Sequence, residues 1–224
     1  MMIIAQYTRA RLVQYGFYAR IEGIEFDPRN GVRFCFRMRQ EQIRDWGREN
    51  LSGRQYGDLK AALRVADVAI QACVANGKVD VSKSVFPARG CVDIKANDAV
   101  AKVATQVREQ LELLLPLLEA DCHRLYEAGQ NVHGTREIAL GDVRVTLTEE
   151  PCGDFDFGWS PQPGDTLDDL LGGGRYLNLR IRVFRAGRLI AEKVRKGVVD
   201  TGNSPHYGGI GRVLLREAIT INAA

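Results

Sequence analysis

Strict alternation of apolar and polar positions marks Val32 to Arg39 as a half-buried strand. Val32, Phe34, Phe36 and Met38 fall on one side, and Arg33, Cys35, Arg37 and Arg39 on the other. Ala19 to Phe26 precedes it across Asp27-Pro28-Arg29-Asn30-Gly31, where Pro starts a turn and Asn-Gly supplies positive φ, so the two segments predict a β hairpin. The period then lengthens. Leu59, Leu63, Ala66, Ile70 and Cys73 recur at three- and four-residue steps, which predicts a helix from Tyr56 to Asn76 closed by Asn76-Gly77. A short hairpin is expected next, from Val79 to Phe86 and Cys91 to Lys95 around Pro87-Ala88-Arg89-Gly90.

The longest apolar stripe follows. Val100, Val103, Val107, Leu111, Leu114, Leu118, Cys122 and Leu125 share one helical face between a cap at Asn97 or Asp98 and a stop after Ala128 at Gly129. Leu113 to Leu118 is apolar on nearly every side, which predicts burial all round, and Pro116 predicts a kink or a split. Beyond it the period returns to two. Ile138–Leu140 and Val143–Leu147 pair around Gly141-Asp142, and Tyr176–Phe184 and Leu189–Val199 pair around residues 185–188. Pro151 to Gly174 reads as a long surface loop, and Arg212 to Ile221 fits helix or strand. The expected fold class is α+β: antiparallel sheet from the N- and C-terminal segments packed on two main helices, the longer one kinked. One compact domain over residues 1–224 is expected, with a soft division near 129–136, because no linker or internal repeat interrupts the pattern.

Composition narrows the class. With 224 residues, 45% hydrophobic and 26% charged, the chain can build a sizeable core and is not of disordered type. Five widely spaced cysteines without a C-x-x-C pair argue against a disulfide framework or a cysteine-rich zinc site, and Cys73 and Cys122 read as helical core positions. Met1 to Tyr7 lacks the features of a signal peptide, and no stretch is long and apolar enough to span a bilayer. A cytoplasmic protein without membrane contact, metal or cofactor is the expectation.

Charge is sorted rather than mixed. Glu149, Glu150, Asp154, Asp156, Asp165, Asp168 and Asp169 form an acidic block; Arg175, Arg180, Arg182, Arg185, Arg188, Lys193, Arg195 and Lys196 then form a basic one opposed only by Glu192. Such sorting builds a field that has a partner inside the molecule or outside it. The net charge of +3 does not itself imply nucleic acid, but 24 of the 31 cations are Arg, whose planar fork suits phosphates and carboxylates. The leading expectation is non-catalytic binding of nucleic acid or a nucleoprotein complex through Arg33, Arg37, Arg39, Arg180, Arg182 and Arg195, with Arg175, Arg185 and Arg188 as the rim. The competing reading is a solvated face neutralised by the chain's own carboxylates. A protein partner or a second copy is the alternative, anchored by Phe155, Phe157 and Trp159 on the acidic loop 149–169.

Catalytic signals are sparse. Asp80 with Asp93-Ile94-Lys95 matches part of a PD-(D/E)-x-K nuclease core, in which two carboxylates hold Mg²⁺ and the lysine positions water. His133-Gly134-Thr135-Arg136 resembles the first-strand motif of ADP-ribosyltransferases, which implies a histidine at the nicotinamide ribose; the resemblance covers only these residues and does not place the tyrosine strand and catalytic glutamate expected downstream. Asn30 to Arg37 fails the aromatic register of an RNA-recognition strand. His206 to Arg212 is glycine-rich and would suit an anion if it opened a helix. The balance points away from an enzyme.

Overall fold

A computed structural model describes residues 2–87, 93–153, 163–201 and 211–217. The fold is α+β: among the described residues, two antiparallel four-stranded sheets, each a simple meander, and six helices. The chain divides into two compact units, residues 4–122 and residues 123–224 with 1–3.

The first unit takes α1 (Met2–Gln14, from Ile4 on), β1 (Ile21–Asp27), β2 (Gly31–Met38), α2 (Gln40–Asn50), α3 (Gly53–Val65), β3 (Ala66–Ala75) and β4 (Lys78–Pro87). It also takes the first part of α4 (Ile94–Gln130). The predicted first hairpin is present. Asp27 Oδ1 accepts from the amides of Arg29 (2.8 Å) and Asn30 (3.0 Å), and Gly31 takes φ +76°. Val32, Phe34, Phe36 and Met38 are buried as the alternation requires.

The predicted Tyr56–Asn76 helix is corrected. α3 ends at Val65, and the same apolar run continues as β3 inside the sheet, between β2 and β4. A strand covered by helices on one face and rich in Val, Ile and Ala repeats apolar residues densely enough to imitate a helical stripe. Asn76 and Gly77 both have positive φ (52° and 69°), the signature of a two-residue hairpin turn rather than a helix cap. β4 therefore pairs along its whole length with β3. Of the expected hairpin between Val79–Phe86 and Cys91–Lys95, the first strand is present within β4, but Ile94 and Lys95 belong to α4 and not to a strand; the turn and residues 91–92 lie outside the described residues.

Helices α1 and α2 lie outside the elements expected from periodicity. α2 buries Ile43, Trp46 and Gly47, and α3 starts on a capping box in which Ser52 and Gln55 bond each other reciprocally. Phe17 meets the Phe36 and Trp46 rings at 5.3 and 6.4 Å between centroids. Gln110 of α4 accepts from the Trp46 indole N–H at 3.0 Å, and its own amide donates to Asn50 and the Tyr15 carbonyl. Helix α4 starts four or five residues earlier than predicted, with Asp93 Oδ1 accepting from the Lys95 amide, and remains one helix across Pro116. Every residue of its predicted apolar face is buried.

In the second unit β5 (Thr135–Leu140), β6 (Val143–Pro151), β7 (Arg175–Arg185) and β8 (Arg188–Asp200) pair in chain order. Both predicted hairpins are present. Leu177, Leu179, Ile181 and Val183 form the core with Ala191, Val198 and Leu214, the last from a helix at 211–217, here α6. The expected loop between β6 and β7 contains α5 (Pro163–Leu171). Gly129 meets the Tyr176 ring so closely that a Cβ would fall 2.4 Å from Cζ.

Candidate functional site

Antiparallel pairing of β6 with β7, and of β7 with β8, brings the acidic and basic sequence blocks together. Residues Thr148, Arg180 and Val194 form one cross-strand row, and Glu137, Thr146, Arg182 and Glu192 the next. Arg180 donates from Nε to Glu150 Oε1 at 2.6 Å and from Nη1 to Glu192 Oε1 at 2.7 Å; Arg182 Nε reaches the same Glu192 oxygen at 2.8 Å. Arg144 pairs with Glu137 at 3.7 Å and lies over the Phe184 ring at 4.4 Å. Hydrogen bonds from the arginines hold the Glu150 and Glu192 carboxyls below the usual carboxylate range. This face carries matched charge.

Of the six strand arginines singled out from sequence, Arg33 is also held, by Glu25 of β1. Arg37, Arg39 and Arg195 are exposed. On the opposite side of the C-terminal sheet, the predicted rim residue Arg175 is buried instead. Its side chain is 9% exposed, with Nη1 at 2.9 Å from Glu149 Oε2, Nε at 3.2 Å from Asp200 Oδ2 and Nη1 at 3.3 Å from the Asn131 carbonyl. Glu149 also accepts from the His133 amide at 2.6 Å. Burial alone would lower the Arg175 pKa, but the hydrogen bonds to Asp200 and Glu149 reverse the sign and hold it above the ordinary arginine value. His133-Gly134 thus serves as a turn into β5, with Gly134 at φ +83°.

The nuclease residues are not brought together. Ala66 pairs with Pro87 at one end of the β3–β4 ladder, and Cys73 pairs with Asp80 seven positions further on, about 23 Å away at roughly 3.3 Å per residue. Lys83 lies on the same side of β4 as Val81 and reaches Asn97 of α4, so α4 covers that side. Asp80 alternates to the other. Asp93 and Lys95 instead line a cleft with Asp58, Asp98 and Lys102. Among the described residues no cluster of His, Cys, Asp and Glu is arranged to hold a metal ion, and no helix is long and apolar enough to cross a membrane.

Two features escape the sequence. Cys35 and Cys73 stand directly opposite each other on β2 and β3, on the polar side of the sheet, with Cα atoms 4.2 Å apart, and form a disulfide. This corrects both the helical placement of Cys73 and the argument against disulfides; spacing along the chain does not show which cysteines strand pairing will align. Cys122 is a free, buried thiol whose pKa is pushed up to about 12 by burial, so it is inert at neutral pH. The second feature is on α4. Leu113 is 78% exposed and Leu117 54%, against the predicted burial of this run. One helix can bury only the stripe it turns toward the sheet, and these two point the other way.

Phe155, Phe157 and Trp159, with Asp154, Asp156 and His206, lie outside the described residues. No family model, curated protein or solved structure matches the chain.

Proposed function

We propose that this is a non-catalytic binding protein whose partner is another protein, a second copy of the chain being the first to test. The observation that carries the reading is the exposed apolar ridge of α4. Leu113, Pro116, Leu117 and Ala120 follow at i, i+3, i+4 and i+7, so they form one continuous stripe in the middle of an otherwise polar helical face. Scattered exposed leucines are ordinary, but a contiguous apolar stripe is characteristic of interaction surfaces. Glu109 and Glu112, both exposed, border it on the N-terminal side and favour a partner with cations beside an apolar groove. Light scattering over a concentration series should show mass rising above that of one chain. Leu113→Ser with Leu117→Ser should return it to one chain with the melting temperature nearly unchanged. A wild-type protein that stays monomeric throughout would sink the self-association reading.

A second reading, nucleic-acid binding, is favoured by Arg188, Arg195 and Lys196, which are exposed along β8 with no carboxylate paired to them among the described residues. This moves the contact surface away from Arg180 and Arg182, whose charge is spent on Glu150 and Glu192. Duplex affinity should fall with salt, and the log–log slope should shrink by roughly 3 when all three become Ala. An unchanged slope would rule these residues out.

A further inference from the structure

The cleft between α2 and α3 collects positive charge without neutralising it. Arg44 of α2 faces Lys60 and Arg64 of α3 across an open surface cleft of about 320 Å³, lined also by Gln40, Leu63 and one carboxylate, Glu41. No ion pair within 4 Å joins Glu41 to any of the three cations, and no other described carboxylate reaches them, so the cleft keeps a formal charge of +2. Some neighbouring cations are paired, whereas Arg37 and Arg39 are exposed singly. On α2 itself Arg48 pairs with Asp45 at 3.5 Å, and on the neighbouring sheet Arg33 pairs with Glu25. Lys60 and Arg64 are one turn apart on the same helix, where like charges repel and cost a few tenths of a kcal/mol. A pairing that only served solubility would have a Glu at one of these positions.

The walls are well fixed. At the close approach of the two helices a Cβ on Gly47 would lie 2.6 Å from Leu59, and Leu59 is fully buried. The capping box at Ser52 sets the start of α3, and Gln40 Nε2 is tied to the Ala66 carbonyl at 2.8 Å. The Lys60 ammonium lies 5.6 Å from the centre of the Tyr56 ring, which holds its stem along the helix.

We infer that this cleft binds a small phosphorylated ligand carrying two or more negative charges, such as a diphosphate group. Two guanidinium forks and one ammonium can share the oxygens of adjacent phosphoryl groups, and guanidinium matches their geometry in bidentate fashion. The position between two helices and the volume, which lies at the lower end of the range for small-molecule sites, favour a compact ligand over an extended backbone. The site is independent of the α4 ridge and stands or falls without it.

Titration calorimetry of the full chain with pyrophosphate at low salt tests this directly. Binding at about 1 mM or tighter is expected. A variant with Arg44→Gln, Lys60→Gln and Arg64→Gln should lose at least tenfold in affinity while its melting temperature holds or rises slightly, since a repulsion is removed. Arg20→Gln with Arg29→Gln and Arg54→Gln, exposed cations elsewhere, is the control and should bind as the parent does. Absence of pyrophosphate binding, or equal loss in the control, overturns the site. A short oligonucleotide that binds more than tenfold tighter than pyrophosphate through the same three residues overturns the small-ligand assignment and makes the cleft part of a nucleic-acid surface.

Discussion

Arg175→Ala is expected to lower the unfolding free energy by about 3–5 kcal/mol, the usual cost of removing one partner from a buried ionic network. The side chains of Glu149 and Asp200 are only 2% and 12% exposed, so the substitution takes the Arg175 guanidinium away from two carboxylates that are largely withdrawn from solvent. Replacing all three, as Arg175→Met with Glu149→Gln and Asp200→Asn, should cost much less than the single change, because the two carboxylate charges are removed together with the cation between them. Urea denaturation of the parent and the two variants gives the numbers. A loss below about 1 kcal/mol for Arg175→Ala would mean that water reaches the network and that the burial is not maintained in solution.

Reduction of the Cys35–Cys73 bridge should lower stability by roughly 2–4 kcal/mol. The bond closes a loop with a sequence separation of 38, and the chain-entropy model puts the loss on opening such a loop near ~4 kcal/mol as an upper value. The fold should nevertheless survive reduction. The backbone ladder between β2 and β3 runs from Phe34–Val74 to Met38–Ile70 and does not depend on the bond. Both sulfurs lie on the polar side of the sheet, away from the packed core, so no cavity opens when they separate. Non-reducing peptide mapping should recover the Cys35 and Cys73 peptides linked, and Cys35→Ser should match the reduced parent in melting temperature. Unlinked peptides from protein purified under air, or equal stability of the oxidised and reduced forms, would refute this. Such a bond persists in oxidising compartments and is opened by cytosolic thiols, so a cytosolic protein would carry the reduced pair.

The stability of the polar face of the C-terminal sheet also has a pH direction. Glu150 and Glu192 have folded-state pKa values below the ordinary carboxylate value, so their contribution is present above that value, near ~4.3, and is lost as pH falls through the lower folded values. Because these groups are solvated, the contribution is small.

The clearest difference between what the chain announced and what it folded into lies at β3. Leu59, Leu63, Ala66, Ile70 and Cys73 fit a helix as a string of letters, and only partly as a structure. Ser52 and Gln55 carried a readable start signal for α3, and Asn76-Gly77 a readable hairpin turn. A hairpin turn at that point requires a strand before it to pair with β4, which one continuous helix would not supply. Local signals of this sort are legible because they act through backbone geometry within a few residues. The exposure of Leu113 and Leu117 was not legible, since a run of apolar residues does not say how many sides of its helix will be covered.

By itself the sequence determined the α+β class, the hairpins β1–β2 and β7–β8, and the buried stripe of α4, because periodicity and turn chemistry are local and repeat along the chain. It also separated the acidic from the basic block. Which charges meet was decided only by tertiary structure. Strand register placed Glu150 and Glu192 beside Arg180, buried Arg175 between Glu149 and Asp200, and aligned Cys35 with Cys73, while helix packing collected Arg44, Lys60 and Arg64 in one cleft. Residues far apart in the chain interact through distances of a few ångströms, and those distances are set by how strands and helices pack, a property that no short window of sequence contains.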